Sequence, residues 1–375
     1  MSEKAFEHPY LAVDETTLRL SLISGQQETS LPALWLRERS VARHQVDFHS
    51  NQRLFNPHEL DLDLQITALV DQGETISIGF SDGHSEDFSR SMLMELAQPE
   101  QSIPSKKSWR SDFSAPEVDW LEIHKADVKL KAVTEFLVYG CLLVKNVPSE
   151  SGAVMTVASE FGSLRETNFG RFFEVFSRAE SNDLAYRHGP LTPHTDNPYR
   201  LAAPEVQLLH CLANDAEGGD STLVDGLSVC SILRVLDPEA FDLLTRVKVG
   251  FRYTDHENRL CSEKPLIALD DQGKVRGLAY SPRLDYCPLL PTPTLKIFHR
   301  GRQHLARLLQ DPAFEIRLRL QASDLLMFEN ARVLHGRTEF DPTTGHRHLQ
   351  GCYIDLDDPQ SAYRLLTERR SRTTI

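Results

Sequence analysis

Two histidines, one aspartate and one arginine carry the chemistry of this sequence. His194 and Asp196 stand in Pro193-His194-Thr195-Asp196, and His335 stands in Val333-Leu334-His335-Gly336-Arg337. Two imidazoles and one carboxylate on one face of a metal leave open positions on the other, which suits a non-heme Fe(II) oxygenase. Arg347 follows twelve residues after His335. A cation there could bind the remote carboxylate of 2-oxoglutarate while the keto acid end chelates the iron. A lone HxD pair is weak, because polar loops contain it by chance, and Pro190, Pro193 and Pro198 crowd this one. The distal His and the Arg make the set specific.

The residues around each group sharpen the reading. Side chains at i and i+2 of an extended segment point the same way, so His194 and Asp196 can reach one ion. An isolated His after an apolar pair is more often an interior His, but Gly336-Arg337 and the Arg347 beyond tilt His335 toward a ligand. Leu349, Gly351, Cys352 and Tyr353 suggest a buried strand, where an unpaired Arg347 would be costly and an anionic cosubstrate would pair it. Gly218-Gly219-Asp220-Ser221-Thr222 reads as a turn entering a strand, and the Ser221 hydroxyl becomes a candidate second contact to that carboxylate. Phe169, Phe172, Phe173 and Phe176 lie just upstream of Tyr186. Such clusters are usually core, yet beside a metal they could box a quaternary ammonium group, whose attraction to ring faces is worth ~2 kcal/mol when desolvated.

The elements that must position these groups follow from apolar patterning. Residues 8–95 read as short strands, at 17–21, 66–70 and 75–80, with an Asp82-Gly83 turn and a short helix at 91–97. Residues 98–116 are polar, lack apolar periodicity and form the boundary. Helical spacing covers 125–139 (Val128, Leu130, Val133, Phe136, Leu137) and then 153–161, with a buried strand at 141–147 between them. Strand-like runs follow at 206–211, 221–224, 247–253 and 265–268, interrupted by helices at 229–236, 239–246 and 294–309. Closing strands are expected at 324–329, 332–335 and 349–355. The expected class is mainly β with buttressing helices. A double-stranded β-helix catalytic domain fills 117–375, and a small β-rich N-terminal domain fills 1–100.

Bulk properties exclude several functions. The chain has 375 residues, 40% of them hydrophobic and 25% charged, ordinary for a soluble globular protein. Its net charge of −13 leaves no basic face for nucleic acid. No apolar run reaches the ~18–20 residues needed to span a bilayer. The N-terminus is acidic without an apolar segment, so neither a signal nor a transit peptide is expected. The 6 cysteines are scattered without a CxxC, as in reduced thiols of a cytoplasmic protein.

Taken together, Asn168-Phe169-Gly170, Ala185-Tyr186, His194-Thr195-Asp196, Gln207-Leu208-Leu209-His210-Cys211, Gly218-Gly219-Asp220-Ser221, Val224-Asp225-Gly226, Arg332-Val333-Leu334-His335 and Arg347-His348-Leu349-Gln350-Gly351-Cys352-Tyr353 resemble the gamma-butyrobetaine dioxygenase and trimethyllysine dioxygenase family. Trp35-Leu36-Arg37 and Asp82-Gly83-His84 are similar to its small N-terminal domain. The resemblance implies Fe(II), 2-oxoglutarate and O2, a jelly-roll catalytic domain, hydroxylation of a trimethylammonium compound, and a homodimer. Carried over residue by residue, it implies metal ligands at His194, Asp196 and His335, the 2-oxoglutarate arginine at Arg347, and an aromatic cage at Phe169, Phe173, Tyr186 and Tyr353.

Two departures from the family pattern matter. The family's N-terminal domain commonly holds zinc through three Cys and a His. Here Ser40, Ala42 and Gln45 stand at the Cys positions and His84 remains, so no zinc is expected, because a structural site needs four ligands. The family's butyrobetaine enzymes hold the substrate carboxylate with two Asn, and here Asp183 and Tyr280 stand there. Arg187, Tyr199, Arg200, Ser281 and Arg283 lie near and suit a more highly charged anion. That exchange resembles (2-trimethylammonioethyl)phosphonate hydroxylase, which makes the phosphonate, hydroxylated next to phosphorus, the first expected substrate and gamma-butyrobetaine the alternative. A non-catalytic quaternary-ammonium binding protein would keep the cage but would need neither the HxD, the distal His nor the Arg.

Overall fold

The computed structural model describes residues 11–14, 17–21, 28–97, 103–176 and 189–373. The chain divides into two compact units, Met1–Ser102 and Ile103–Ile375.

In the first unit, β1 (Leu11–Asp14), β2 (Thr17–Ser21) and β3 (Glu28–Pro32) form one antiparallel sheet. α1 (Ala33–Glu38) follows, then a second antiparallel sheet of β4 (Ile66–Asp71), β5 (Thr75–Phe80) and β6 (Ser85–Ser89), then α2 (Arg90–Ala97). Alternation buries Ile76, Ile78 and Phe80 of β5 on one face. They pack with Leu36, Leu64, Phe88 and Leu93. The Asp82-Gly83 turn is present, with Gly83 at φ 84°. Ser40 and His84 meet around Glu86. Ser40 Oγ donates to one Glu86 oxygen, the Val41 N–H donates to the other at 2.7 Å, and His84 Nε2 lies 3.1 Å from Oε2. Gln45 is engaged separately, accepting from Arg37 at 3.2 Å.

The second unit is built on two facing sheets. The six-stranded sheet runs β7 (Glu117–Asp119), β8 (Cys141–Lys145), β20 (Leu325–Glu329), β11 (Val206–Asn214), β23 (Arg347–Ile354) and β9 (Phe173–Phe176). The four-stranded sheet runs β10 (Leu191–His194), β21 (Val333–Arg337), β13 (Ser221–Asp225) and β19 (Glu315–Leu318). Smaller pairings join β12 (Glu217–Gly218) to β22 (Phe340–Asp341), β14 (Val249–Thr254) to β15 (Arg259–Lys264) and β18 (Asp285–Tyr286), and β16 (Ile267–Leu269) to β17 (Val275–Leu278). This is the expected jelly roll.

β20 shows why a continuous apolar run was needed. Leu325 and Met327 pack outward with Val133, Phe136 and Val157 of α3 (Ala126–Tyr139) and α4 (Ala153–Phe161). Leu326 and Phe328 point inward to Leu223, Ile316 and Val333 of the other sheet. A strand buried on both faces has no polar side to present. α5 (Gly226–Leu236), α6 (Pro238–Arg246) and α7 (Thr292–Leu309) pack with β14 around a second core.

One buried ion pair fixes the strand that carries His335. Arg332 and Asp225, both 0% exposed, meet at 3.2 Å, and Arg332 also donates to the carbonyls of Val138 at 2.9 Å and Lys107 at 2.6 Å. α3 ends at Gly140 (φ 76°), where a Cβ would come within 2.9 Å of Arg332 Cδ.

Three expectations change. The segment 103–116, read as boundary, belongs to the second unit: Trp109 is buried in the inter-sheet core, its N–H donating to Asp225 at 3.0 Å. The run at 265–268 is no single strand, because Pro265 has no N–H for the ladder; β15 ends at Lys264 and β16 starts at Ile267. The terminal helix α8 (Asp357–Thr373) was not expected at all.

Candidate active site

β10 and β21 are paired so that His194 lies directly across from His335. Their rings stand 4.4 Å apart between centroids, and Phe328 of the opposite sheet lies 4.7 Å from His335. Asp196 sits just beyond the end of β10 rather than within it, and the backbone turns at Asn197, a left-handed residue at φ 52°. The Asp196 N–H donates to Asn330 Oδ1 at 2.7 Å, and Asn330 Nδ2 donates back to the Asp196 carbonyl at 3.0 Å.

Asp196 Oδ1 lies 3.4 Å from His194 Nε2 and 3.8 Å from His335 Nε2. One ligand atom from each of the three residues falls within 4.8 Å of the others, the one such group of His, Cys, Asp and Glu among the described residues. His194 Nδ1 lies 2.9 Å from the Thr192 carbonyl. That partner calls for a proton on Nδ1 and leaves Nε2 as a lone pair aimed inward. Burial would raise Asp196, but His335, His194 and a hydrogen bond from Tyr353 outweigh it and hold the carboxyl well below the usual carboxylate range. Burial, with His194 beside it, pushes His335 down to about 3. A deprotonated carboxylate and an imidazole that resists protonation suit a divalent metal.

Arg347 opens β23 and is buried. Its Nε donates to the Gly219 carbonyl at 3.1 Å, and a Cβ on Gly219 (φ 75°) would stand 2.9 Å from Arg347 Cδ. Arg337 is a second buried guanidinium. It lies 4.9 Å from the Phe340 ring centroid, Arg347 lies 5.8 Å from the same ring, and Ser221 faces Arg337 in register. Burial, then the neighbouring Arg337 charge, pushes Arg347 down to about 10; burial alone takes Arg337 to about 10. Among the described residues no carboxylate pairs with Arg347. Arg347, crowded out of water beside a second cation, calls for an anion.

Phe169, Phe173 and Tyr353 form a continuous row, with centroids 6.2 Å and then 5.3 Å apart. Tyr253 extends it, 5.8 Å from Phe169 and stacked 4.8 Å from Tyr199. Gly351 lies under Phe173: a Cβ there would meet the ring at 2.4 Å. Tyr199 spends its hydroxyl on Asn197. Tyr280 sits in the α5–α7 core, its phenol pushed up to about 12 by burial, and its backbone exchanges hydrogen bonds with Thr195. Ser281 is fully buried, whereas Arg283 is exposed yet close enough to help lower His335. Tyr186, Asp183 and Arg187 lie outside the described residues.

Arg337, Tyr253 and Asn330 were missed as site residues. Arg337 was legible as the last residue of the His-Gly-Arg run. Tyr253 and Asn330 reach the site only through pairing between distant segments.

A family model for the taurine catabolism dioxygenase TauD, TfdA family matches residues 103–353, and a gamma-butyrobetaine hydroxylase-like N-terminal model matches 11–94. Gamma-butyrobetaine dioxygenase of Pseudomonas sp. (strain AK-1) is 33% identical over 338 residues, 87% of each chain. The Homo sapiens gamma-butyrobetaine dioxygenase is 28% identical over 96% of each chain. Trimethyllysine dioxygenase of Bos taurus is 27% identical over 89% of this chain and 82% of its own. The crystal structure of AAD-2 in complex with Mn(II) and N-oxalylglycine, at 14% identity and TM-score 0.50, covers 68% of this chain and 99% of that one, a likeness of fold alone. No helix among the described residues is long and apolar enough to cross a membrane. With a catalytic unit and an N-terminal unit that each match, the chain belongs to the TauD, TfdA family of 2-oxoglutarate-dependent dioxygenases, in the branch with a gamma-butyrobetaine hydroxylase-like N-terminal domain.

Proposed function

We propose that this enzyme hydroxylates a small trimethylammonium compound with an anionic far end, gamma-butyrobetaine first. The observation that carries the reading is the row of ring faces ending at Tyr353, which touches the carboxylate of the His194, Asp196 and His335 group. The names of the relatives support the substrate: of the three above, two are named for gamma-butyrobetaine and one for trimethyllysine, none for a phosphonate.

In this reading His194, Asp196 and His335 bind Fe(II). Bound iron and 2-oxoglutarate supply activation of O2, so that one oxygen enters a C–H bond as hydroxyl while 2-oxoglutarate becomes succinate and carbon dioxide. The protein's own residues bind and orient. Arg347, with Arg337 and the Ser221 hydroxyl, takes the remote carboxylate of 2-oxoglutarate through charge-assisted hydrogen bonds. Phe169, Phe173, Tyr353 and Tyr186 hold the trimethylammonium head. Holding both ends of a short substrate leaves one C–H facing the metal. At the anionic end the donors are Arg187, Ser281 and Arg283, with Tyr199 and Tyr280 beside them, while Asp183 orients an arginine or lies near the ammonium head.

The second reading is (2-trimethylammonioethyl)phosphonate, favoured by Arg283, an exposed guanidinium two residues beyond the buried Ser281. Succinate release measured side by side with gamma-butyrobetaine, the phosphonate and trimethyllysine decides. Highest kcat/KM on the phosphonate would reverse the order, and no turnover on any of the three would end the trimethylammonium reading. A cytoplasmic homodimer is part of the proposal, and light scattering of the purified chain tests the dimer.

A further inference from the structure

Tyr353 belongs to two arrangements at once. Its ring closes the aromatic row beside Phe173, at 5.3 Å, and its hydroxyl donates to Asp196 Oδ2 at 2.8 Å. The other oxygen of the same carboxylate, Oδ1, is the one that faces His194 Nε2 and His335 Nε2, at 3.4 and 3.8 Å. The two oxygens of Asp196 therefore have different tasks. Tyr353 is buried and its strand position is fixed, since Tyr353 on β23 pairs with Gln207 on β11. The backbone of Asp196 is held as firmly, by the two hydrogen bonds to Asn330, whose Nδ2 also donates to the Pro204 carbonyl at 2.8 Å.

We infer that Tyr353 is a positioning residue that makes Asp196 bind metal through Oδ1 alone. A carboxylate free to rotate can offer both oxygens to one ion. That would occupy a position on the open face that a keto acid and O2 need. A phenol bonded to Oδ2 prevents the rotation without touching the metal. Partners of this kind orient the ligand, and their loss typically weakens metal binding by roughly 10–100-fold. The inference rests on the metal-ligand reading above and adds to the cage role that the ring already has.

Tyr353→Phe keeps the ring and removes the hydroxyl. Anaerobic titration with Co(II) alone should show affinity reduced by roughly 10–100-fold. The visible absorption of bound Co(II) should change in position and intensity as the second carboxylate oxygen joins the coordination. Thermal unfolding of the metal-free variant should stay cooperative, lowered only by the one hydrogen bond removed, and the KM for gamma-butyrobetaine should move far less than the Co(II) affinity. Tyr353→Leu should lose the same Co(II) affinity and raise that KM as well. It serves as the second variant if the Phe chain does not fold. Co(II) affinity and absorption unchanged in a folded Tyr353→Phe or Tyr353→Leu protein would overturn the inference. His194→Ala separates the two ideas: if it too binds Co(II) like the parent, the ligand reading has failed; if it alone loses Co(II), only the role of Tyr353 has failed.

Discussion

His84 with Glu86, both buried, and His194 with Asp196, the first buried and the second half-buried, are imidazole–carboxylate pairs at 3.1 and 3.4 Å, yet they differ in what they have left to give. Glu86 is answered from three sides, by Ser40, the Val41 N–H and His84. Each oxygen of that carboxylate already has a donor. Around Asp196, two imidazole nitrogens and a carboxylate oxygen face one another, and the Nδ1 contact to Thr192 turns His194 Nε2 inward. Three ligand atoms so placed can close around a cation. Burial alone does not mark a site; unspent lone pairs converging on one point do.

The comparison can be broken most forcefully at the ligands. His194→Ala or His335→Ala should abolish succinate formation even with fresh Fe(II), whereas His84→Gln should leave turnover unchanged; equal losses in the two groups would erase the distinction. Next comes the anion side. Arg347→Gln removes a buried charged donor, worth about 1.5–3 kcal/mol, so the KM for 2-oxoglutarate should rise by roughly 10–150-fold while the quaternary substrate's KM at saturating cosubstrate moves much less. Steady-state titration of each substrate reads that split. A smaller effect is expected from Glu86→Gln. It should leave Ser40 and Val41 with a poorer acceptor and lower stability by about 1–3 kcal/mol in urea unfolding, with activity per folded molecule retained.

The smallest test uses a third histidine. His210 is wholly buried, and burial pushes it down to about 4 from the ordinary 6.5. Because the folded value lies below the unfolded one, acid loads the unfolded chain first. Stability from this group is present above pH 6.5 and declines as pH falls through the window from 6.5 to about 4. Between pH 7 and 5.5 the loss should be about 1 kcal/mol. His210→Gln should flatten that part of the urea-derived stability profile; an unaltered slope would refute the assignment.

Much of the fold was legible where one periodicity dominated. The alternation of β5 and the i, i+3, i+7 spacing of Leu130, Val133 and Leu137 in α3 declare their faces locally. α8 was hidden because its sequence, DDPQSAYRLLTERRSRT, has no apolar stripe, and Tyr363 is its residue against the core. β9 was hidden inside an aromatic cluster whose residues are all half-buried, so no face stands out. The three metal-type residues and Arg347 were legible because their chemistry is rare in that combination. Arg337 was passed over because one arginine already met the need, and charge crowding is visible only when both guanidiniums share the Phe340 ring. The Tyr353 hydroxyl could be aimed at Asp196 only by a contact spanning 157 positions of chain, which spacing cannot encode.

Gly351 gives the aromatic row an adjustable floor. With no side chain there, the Phe173 ring drops against the strand itself, 2.4 Å from where a methyl group would stand. Adding that methyl would push the ring off the strand and, in the proposed cage, reduce the girth of cation admitted. Under the proposed function, one codon, away from the metal ligands, would thus set the largest head group accepted.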